Sequence, residues 1–444
     1  MRRRKEAQNP RPRGAPRRRP APEVTPRRDE LTDLPTVSLL LGRIRRLLRR
    51  SRQLGLLSIS VLQSERADPG RTFEGYESFL RSVAAFLAEI KRVALRRDDY
   101  LSEVMISGNA FVILLEPPRG DHQVSYADLD RVRQRVAARL ERHIGSRLPS
   151  HLHDRFGIHV GCAVLTQDPA LRFERLVYSA LEHAFTDALQ QRKQAQREAA
   201  MRLREILRTR AVTTAYQPVV DLQERRILGY EALTRVESRT FEGPEQLFQA
   251  AYDNDAVWSL EQICRDRAIR GARGLPADQL LFLNIEPDTI HDPALRAQAT
   301  FDLLRRSGLQ AGQVVLEMTE HAAVRDFSHL RQVLNYFQFH GFRLAIDDVG
   351  SGYSGLKSIA EIRPDFIKID MGLIRDLHRH SIKQDLVATI VRFCASSGIT
   401  LVAEGVEAAE ELACLRSLGV RYAQGYLFAR PGPPFPGARL ETLD

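Results

Sequence analysis

FRLAIDD, residues 342–348, is a short apolar run, Phe342 to Ile346, that ends in two adjacent carboxylates, Asp347 and Asp348. Runs of the same kind recur to either side of it, at Ile227 to Leu233, Leu280 to Ile285, Val314 to Met318, Phe366 to Ile369, Thr400 to Ala403 and Tyr422 to Phe428, with helix-periodic stretches between them. Short apolar runs alternating with amphipathic segments are the pattern of buried parallel strands covered by helices. Sustained from Thr213 to the end of the chain, the alternation predicts a parallel α/β barrel, with a doubly wound open sheet as the alternative.

Nearly every run ends in, or contains near its end, a group suited to a metal or a phosphate: Glu231, Asn284, Glu317, Asp347 with Asp348, Lys368, Glu404 and Gln424. In a barrel those strand ends converge on one face, where active sites form. Five carboxylates on one rim repel one another and raise one another's pKa unless cations sit between them. An all-oxygen set with no His or Cys at a strand end favours Mg²⁺ or Mn²⁺ over zinc. Adjacent aspartates suggest two ions sharing one carboxylate, at the spacing of about 3.5–4 Å that recurs in phosphodiester cleavage. Any single acid of this kind is more often a solvated rim group or a helix cap, but seven hits in register make that reading hard to sustain. Lys368 adds a compositional hint, because the chain uses sixty arginines and six lysines. A compact ammonium that orients water or meets a phosphoryl oxygen explains the choice.

The 444 residues allow two or three domains, and 43% apolar content is ordinary for a globular protein. No run approaches a membrane span and the arginine-rich N-terminus lacks the apolar stretch of a secretory signal, so a cytoplasmic location is expected. Cys162, Cys264, Cys394 and Cys414 form no CxxC pair and read as buried free thiols. The net charge of +10 is concentrated: residues 1–28 hold eleven Lys or Arg against Glu6 and Glu23. With six prolines and no apolar run, that stretch reads as a disordered basic tail. Its open partners are nucleic acid or an anionic membrane surface, against the plainer reading of a solvated tail.

Between the tail and the barrel, residues 29–185 alternate helical and strand-like patterns: Leu39 to Leu48, then Gly55 to Leu62; Phe79 to Leu95, then Val104 to Leu115; Tyr126 to His143, then Phe156 to Leu165. This predicts a modest α/β sandwich. From Leu176 to Arg210 the chain lacks Gly and Pro and reads as nearly continuous helix, with 186–204 the connection between two domains or a simple spacer.

Over residues 205–440 the sequence resembles the EAL family of cyclic di-GMP phosphodiesterases. The motifs that carry the resemblance are YQPVVDL at Tyr216, YEALTR at Tyr230, LFLNIEP at Leu281, LEMTE at Leu316, AIDDVGSGYSGL at Ala345, DFIKID at Asp365, VAEGVE at Val402 and AQGYLFARP at Ala423. The resemblance implies a (β/α)8 TIM-like barrel in which Glu231, Asn284, Glu317 and Asp347 hold a first metal. Asp347 bridges to a second that Asp348 and Glu404 help to hold. It implies catalytic roles for Glu404 as general base, for Lys368 on the attacking water, and for Glu320 in steadying the loop after Asp348. Gln217, Leu233, Arg235, Gln424 and Glu407 fall on the substrate side. The implied reaction is hydrolysis of cyclic di-GMP to linear pGpG with two Mg²⁺ or Mn²⁺ ions, in a homodimer. One departure is DDVGSG, where Val349 and Ser351 replace larger residues of the usual loop.

Residues 29–185 resemble, more weakly, the GGDEF family of diguanylate cyclases, through DELTDLP at Asp29, SGNAFVILL at Ser107 and FGIHVGCAVL at Phe156. Ser107, Asn109 and Ala110 replace a glycine and both acids of that family's signature, and Val61, Leu62 and Gln63 pass without its metal-binding aspartate. Without carboxylates nothing holds Mg²⁺ against a triphosphate, so a dimerising or regulatory domain is expected. Arg96 to Asp99 resembles that family's RxxD inhibition site, displaced by two residues. The rival to an enzyme is a barrel that captures cyclic di-GMP without cutting it.

Overall fold

A computed structural model of the chain describes residues 28–63, 72–94, 99–104, 110–117, 123–147, 156–238, 240–286, 292–293, 298–319, 327–350, 359 and 362–443. The basic tail, apart from Arg28, lies outside the described residues, as do Ser107, Asn109, Arg96, Glu320 and Ser351. Two compact units divide at residues 195 and 196.

The first unit is an antiparallel sheet with helices on both faces. Its elements are α1 (Val37–Ser51), β1 (Gln53–Gln63), α2 (Thr72–Ala94), β2 (Tyr100–Val104), β3 (Ala110–Leu115), α3 (Tyr126–Arg147) and β4 (Phe156–Thr166), and the strand order is β2-β3-β1-β4. Alternation along the strands sorts the apolar side chains to two sides. Leu57, Ile59, Phe111 and Ile113 share one core with Phe79, Val83 and Leu87 of α2 and Leu140 of α3. Leu54, Leu56, Val112 and Leu114 share another with Leu40 and Ile44 of α1. Of the expected run Val104 to Leu115, Ala110–Leu115 is β3 and Val104 is the last residue of β2, which pairs antiparallel with β3 from Val104 opposite Ala110 to Tyr100 opposite Leu114. Asp99 is buried and accepts the Glu116 N–H at 3.1 Å, so its carboxylate serves the neighbouring strand end.

Helix α4 runs from Phe173 to Thr209, and the division between the units falls within it. Its first turns join the core of the first unit through Val177, Ala180 and Leu181, and its last turns pack Leu203 and Ile206 against Leu247 and Leu260 of the second.

The second unit is a closed eight-stranded barrel: β5 (Thr213–Asp221), β6 (Arg226–Arg235), β7 (Leu280–Asn284), β8 (Val314–Thr319), β9 (Arg343–Val349), β10 (Phe366–Ile369), β11 (Thr400–Ala403) and β12 (Tyr422–Ala423), closed by pairing of β12 with β5 and of β9 with β10. Inward residues Val219, Phe282, Val315, Ala345, Phe366 and Val402 fill its floor, where the Phe282 and Phe366 rings meet edge to face at 5.3 Å. Outward residues such as Leu281, Leu316, Leu344 and Ile367 pack against surrounding helices through Ala268, Leu304, Phe337 and Leu412.

The alternation predicts a parallel barrel, but the barrel is not parallel throughout. β5 is antiparallel to both β6 and β12. The four residues between Asp221 and Arg226 are too few for a crossover, so the two strands form a hairpin. Asp221 builds that turn by accepting the Gln223 and Glu224 N–H groups at 3.0 and 3.1 Å. Its carboxylate also takes Arg421 in a bidentate pair, which fastens β12 to β5. The run Tyr422 to Phe428 is strand only at Tyr422 and Ala423. The chain then turns at Gly425, where a Cβ would stand 2.1 Å from the Val406 carbonyl oxygen. Cys162, Cys264 and Cys394 are buried free thiols, whereas Cys414 is half-buried.

Candidate metal centre at the barrel mouth

Strand register brings the expected residues to one rim. Gln217 of β5 lies opposite Glu231 of β6, and Asn284 at the end of β7 lies opposite Glu317 of β8. Asp347 and Asp348 stand near the end of β9, Lys368 lies in β10, and Glu404 and Gln424 directly follow β11 and β12.

Lys368 is the centre of the group and is 0% exposed. Its Nζ lies 2.5 Å from Glu404 Oε1, 3.0 Å from Glu317 Oε1, 3.3 Å from Glu231 Oε2 and 3.5 Å from Asp347 Oδ1. A buried ammonium without anions costs many kcal/mol, so the carboxylates hold it charged and raise its pKa well above the ordinary lysine value against the opposing effect of burial. With all five carboxylates ionised, as metal ligands are, one ammonium leaves a formal excess of four negative charges on the rim.

Amide side chains order part of the cluster. Asn284 Nδ2 donates to Glu231 Oε1 at 3.0 Å, and Gln424 Nε2 donates to Glu231 Oε2 at 2.7 Å and to Gln217 Oε1 at 3.0 Å. Gln217 in turn donates to the Ala429 carbonyl at 3.1 Å. Burial works against the Glu231 charge, but Lys368 and these donors outweigh it and hold its carboxyl below the usual range.

The other acids go the opposite way. Burial pushes Glu317 and Glu404 well above the ordinary carboxylate range, with Lys368 only partly offsetting it. Asp347 is raised chiefly by burial, and Asp348 is pushed up to about 6 by burial and then by the charges of Asp347 and Asp370. At these acids burial outweighs the single ammonium.

The donor set fits divalent cations. Both Glu317 oxygens are buried with no hydrogen-bond partner, and the Lys368 contacts are close without hydrogen-bond alignment. Oxygens of Glu231, Glu317 and Asp347 come within 4.8 Å of one another, as do those of Asp347, Asp348 and Glu404. Asp347 belongs to both groups.

The remaining candidates sit around this cluster. Leu233 and Arg235 follow Glu231 on the same side of β6 and are half-buried, with Arg235 Nη1 donating to the Thr234 carbonyl at 2.9 Å. Glu407 pairs with Arg375 at 3.6 Å across solvent-exposed side chains. Val349 is buried. Three acids that no expectation named also support the rim. Asp370 faces Asp348, buried Glu411 binds backbone beyond Glu404, and buried Glu261 accepts the Glu286 N–H at 3.1 Å two residues past Asn284. Glu261 lies four residues before Arg265 and binds it at 2.9 Å. In sequence such a pair reads as a solvated helix face, so no local signal marks it.

Comparison with known proteins bears on the same residues. Residues 180–431, more than half of the chain, match the model of the EAL domain family. A probable cyclic di-GMP phosphodiesterase of Escherichia coli, PdeI, is 33% identical over 226 residues, covering 49% of this chain and 28% of that protein. The bifunctional diguanylate cyclase/cyclic di-GMP phosphodiesterase MucR of Pseudomonas aeruginosa is 27% identical over 367 residues, covering 78% of this chain and 52% of that one. Among solved structures, the FimX EAL domain of Xanthomonas citri in complex with c-diGMP matches with a TM-score of 0.50 and 25% identity, over 55% of this chain and 97% of that one. The chain spans about half or less of the length of these curated relatives. Among the described residues no helix is long and apolar enough to cross a membrane.

Proposed function

The chain belongs to the EAL domain family, and on that premise we propose that its barrel hydrolyses cyclic di-GMP to linear pGpG at a two-metal centre. The observation that carries this reading is Asp347, whose carboxylate is common to two triplets of closely spaced acidic oxygens. Glu231, Glu317 and Asp347, with Asn284 beside them, form the first position, and Asp347, Asp348 and Glu404 the second. The four excess negative charges of the rim equal the charge of two divalent cations, Mg²⁺ or Mn²⁺. Such ions supply charge neutralisation at the phosphate and an acidified water.

The chain's own groups do the rest. On this reading Glu404 takes a proton from the attacking water, and its partner Lys368, 2.5 Å away, orients that water and meets the phosphoryl oxygen. Gln424 and Gln217 share one hydrogen-bond chain with Glu231, which sets their amides at the wall of the cleft for the nucleotide. Arg235 and Leu233 extend that wall, Glu407 completes it from beyond Glu404, and Glu320 steadies the loop after Asp348.

For the first unit the reading is a degenerate GGDEF-like domain, 29–185, that regulates or dimerises the barrel. The MucR match supports this, since 367 aligned residues exceed the second unit and extend into the first. Ala110, the first residue of β3, is buried where that family carries an acid. The reading places the protein in the cytoplasm as a homodimer, with residues 1–28 a solvated tail whose open partners are nucleic acid or an anionic membrane surface.

Lys368 also favours a second reading. Fully buried among four carboxylates, it partly neutralises them without a metal, which suits a receptor that binds cyclic di-GMP and does not cut it. Incubation of the purified protein with cyclic di-GMP and Mg²⁺ or Mn²⁺, followed by nucleotide separation, decides between them. The wild type is expected to yield pGpG, and Glu231→Ala and Lys368→Ala to yield none. Binding without turnover in either metal establishes the receptor.

A further inference from the structure

Glu411 is 5% exposed and, among the described residues, has no cationic partner, yet both of its carboxylate oxygens are engaged. Oε2 accepts the N–H groups of Glu407 and Ala408 at 3.1 Å each, and Oε1 accepts the N–H of Asp376 at 3.0 Å. The first two donors belong to the loop that begins with Glu404. The third belongs to the segment that follows β10, the strand of Lys368. One buried side chain thus joins the two stretches whose side chains form the shortest contact of the cluster.

The loop from Glu404 has few other restraints. Glu404 N donates to the Ile369 carbonyl at 3.1 Å, and Val406 exchanges backbone hydrogen bonds with Gln424 and Leu427 at 3.1 and 3.0 Å. Gly405 has φ +66 and lies so close to Met371 that a Cβ there would stand 2.4 Å from the Met371 Cβ. These fix the near half of the loop. Its far half carries Glu407, whose exposed pair with Arg375 spans the same two stretches at 3.6 Å and is screened by water. Three backbone hydrogen bonds to one buried side chain are the stronger restraint.

We propose that Glu411 is a positioning residue for the candidate metal centre, tying the Glu404 loop to the segment after Lys368 so that Glu404 faces the second metal position. The inference rests on the two-metal reading for its catalytic consequence, but not for its structural one. Glu411→Gln keeps one acceptor oxygen and turns an amide donor toward the other set of N–H groups, so it releases one stretch and holds the other. Glu411→Ala releases both.

The test uses the full chain, with Mn²⁺ affinity measured without nucleotide, steady-state turnover of cyclic di-GMP, and thermal unfolding. Glu411→Ala is expected to weaken Mn²⁺ binding at the second position about tenfold, and to lower kcat about tenfold with KM changed less than about threefold. Glu411→Gln falls between it and the wild type, and raised Mn²⁺ partly restores the alanine variant. A general loss of packing lowers the unfolding midpoint without separating the two metal positions or kcat from KM. Mn²⁺ affinities and kcat within about twofold of wild type in both variants overturn the proposal. If Glu411→Ala fails to fold, Glu411→Gln carries the comparison. If the wild type itself does not turn over, the hydrolase reading falls while the Mn²⁺ comparison still decides the role of Glu411.

Discussion

Lys368 sets the electrostatics of the barrel mouth from a single atom, since Nζ lies 2.5–3.5 Å from four carboxylates. Lys368→Met is therefore expected to lower the unfolding midpoint of the metal-free protein and to cut turnover by about a hundredfold or more, with Mn²⁺ restoring the midpoint and not the turnover. Glu317 behaves in the opposite sense. Its carboxyl is forced well above its ordinary pKa by burial, so Glu317→Gln should leave metal-free stability unchanged or raised. The same variant should lose most of the stabilisation that Mn²⁺ confers on the wild type, and thermal unfolding with and without the ion checks both halves. Asp348, pushed up to about 6, supplies a pH dependence. Cations bind the deprotonated carboxylate, so protons compete below about pH 6 and affinity rises through that value. Mn²⁺ titrations at about pH 5.5 and 7.5 test it, and equal affinities would remove Asp348 from the ligand set.

Elements decide how the rim closes, and β5 is the instructive one. The sequence TTAYQPVVD carries Pro218 in its middle, and a proline argues against a central strand. Even so, Pro218 pairs in register with Tyr230, and β5 supplies the Gln217 that meets Gln424. Apolar runs such as Phe342 to Ile346 were legible because period and residue type agree over a few neighbours. The β5–β6 hairpin was not, because its first strand carries Pro218 and was not among the apolar runs, so the short link after Asp221 had no strand before it to reverse. Asp221→Ala should cost about 1–3 kcal/mol, measured by denaturant unfolding, because it strips two turn N–H groups and Arg421 of their acceptor at once. Turnover at temperatures where the variant remains folded should change little, since the cluster of acids is carried by other strands.

At the scale of the whole molecule, two units with separate cores predict unfolding in two steps. A saturating divalent cation should shift only the step of the barrel, by about 2.7 kcal/mol at a hundredfold excess over its Kd. The first unit carries its own pH signature in His159, whose pKa burial and then Arg192 depress to about 4. Between pH 6.5 and 4 the unfolded chain binds a proton that the folded unit refuses, so stability falls as pH drops through that window, by roughly 1–3 kcal/mol in full. Chemical denaturation at about pH 7 and 5, with His159→Gln as control, tests it; an equal loss in the control would assign the effect elsewhere. The sequence by itself determined the strands that carry acids, the residue types at their ends and the long helix α4, because periodicity and charge are local properties. Tertiary structure alone decided that Asp347 is common to two oxygen triplets, that Lys368 stands at their centre, that β2 pairs antiparallel with β3, and that Glu411 joins two loops. Each of those is a distance between residues brought together by register and barrel closure, and such distances are not encoded in any short window of the chain.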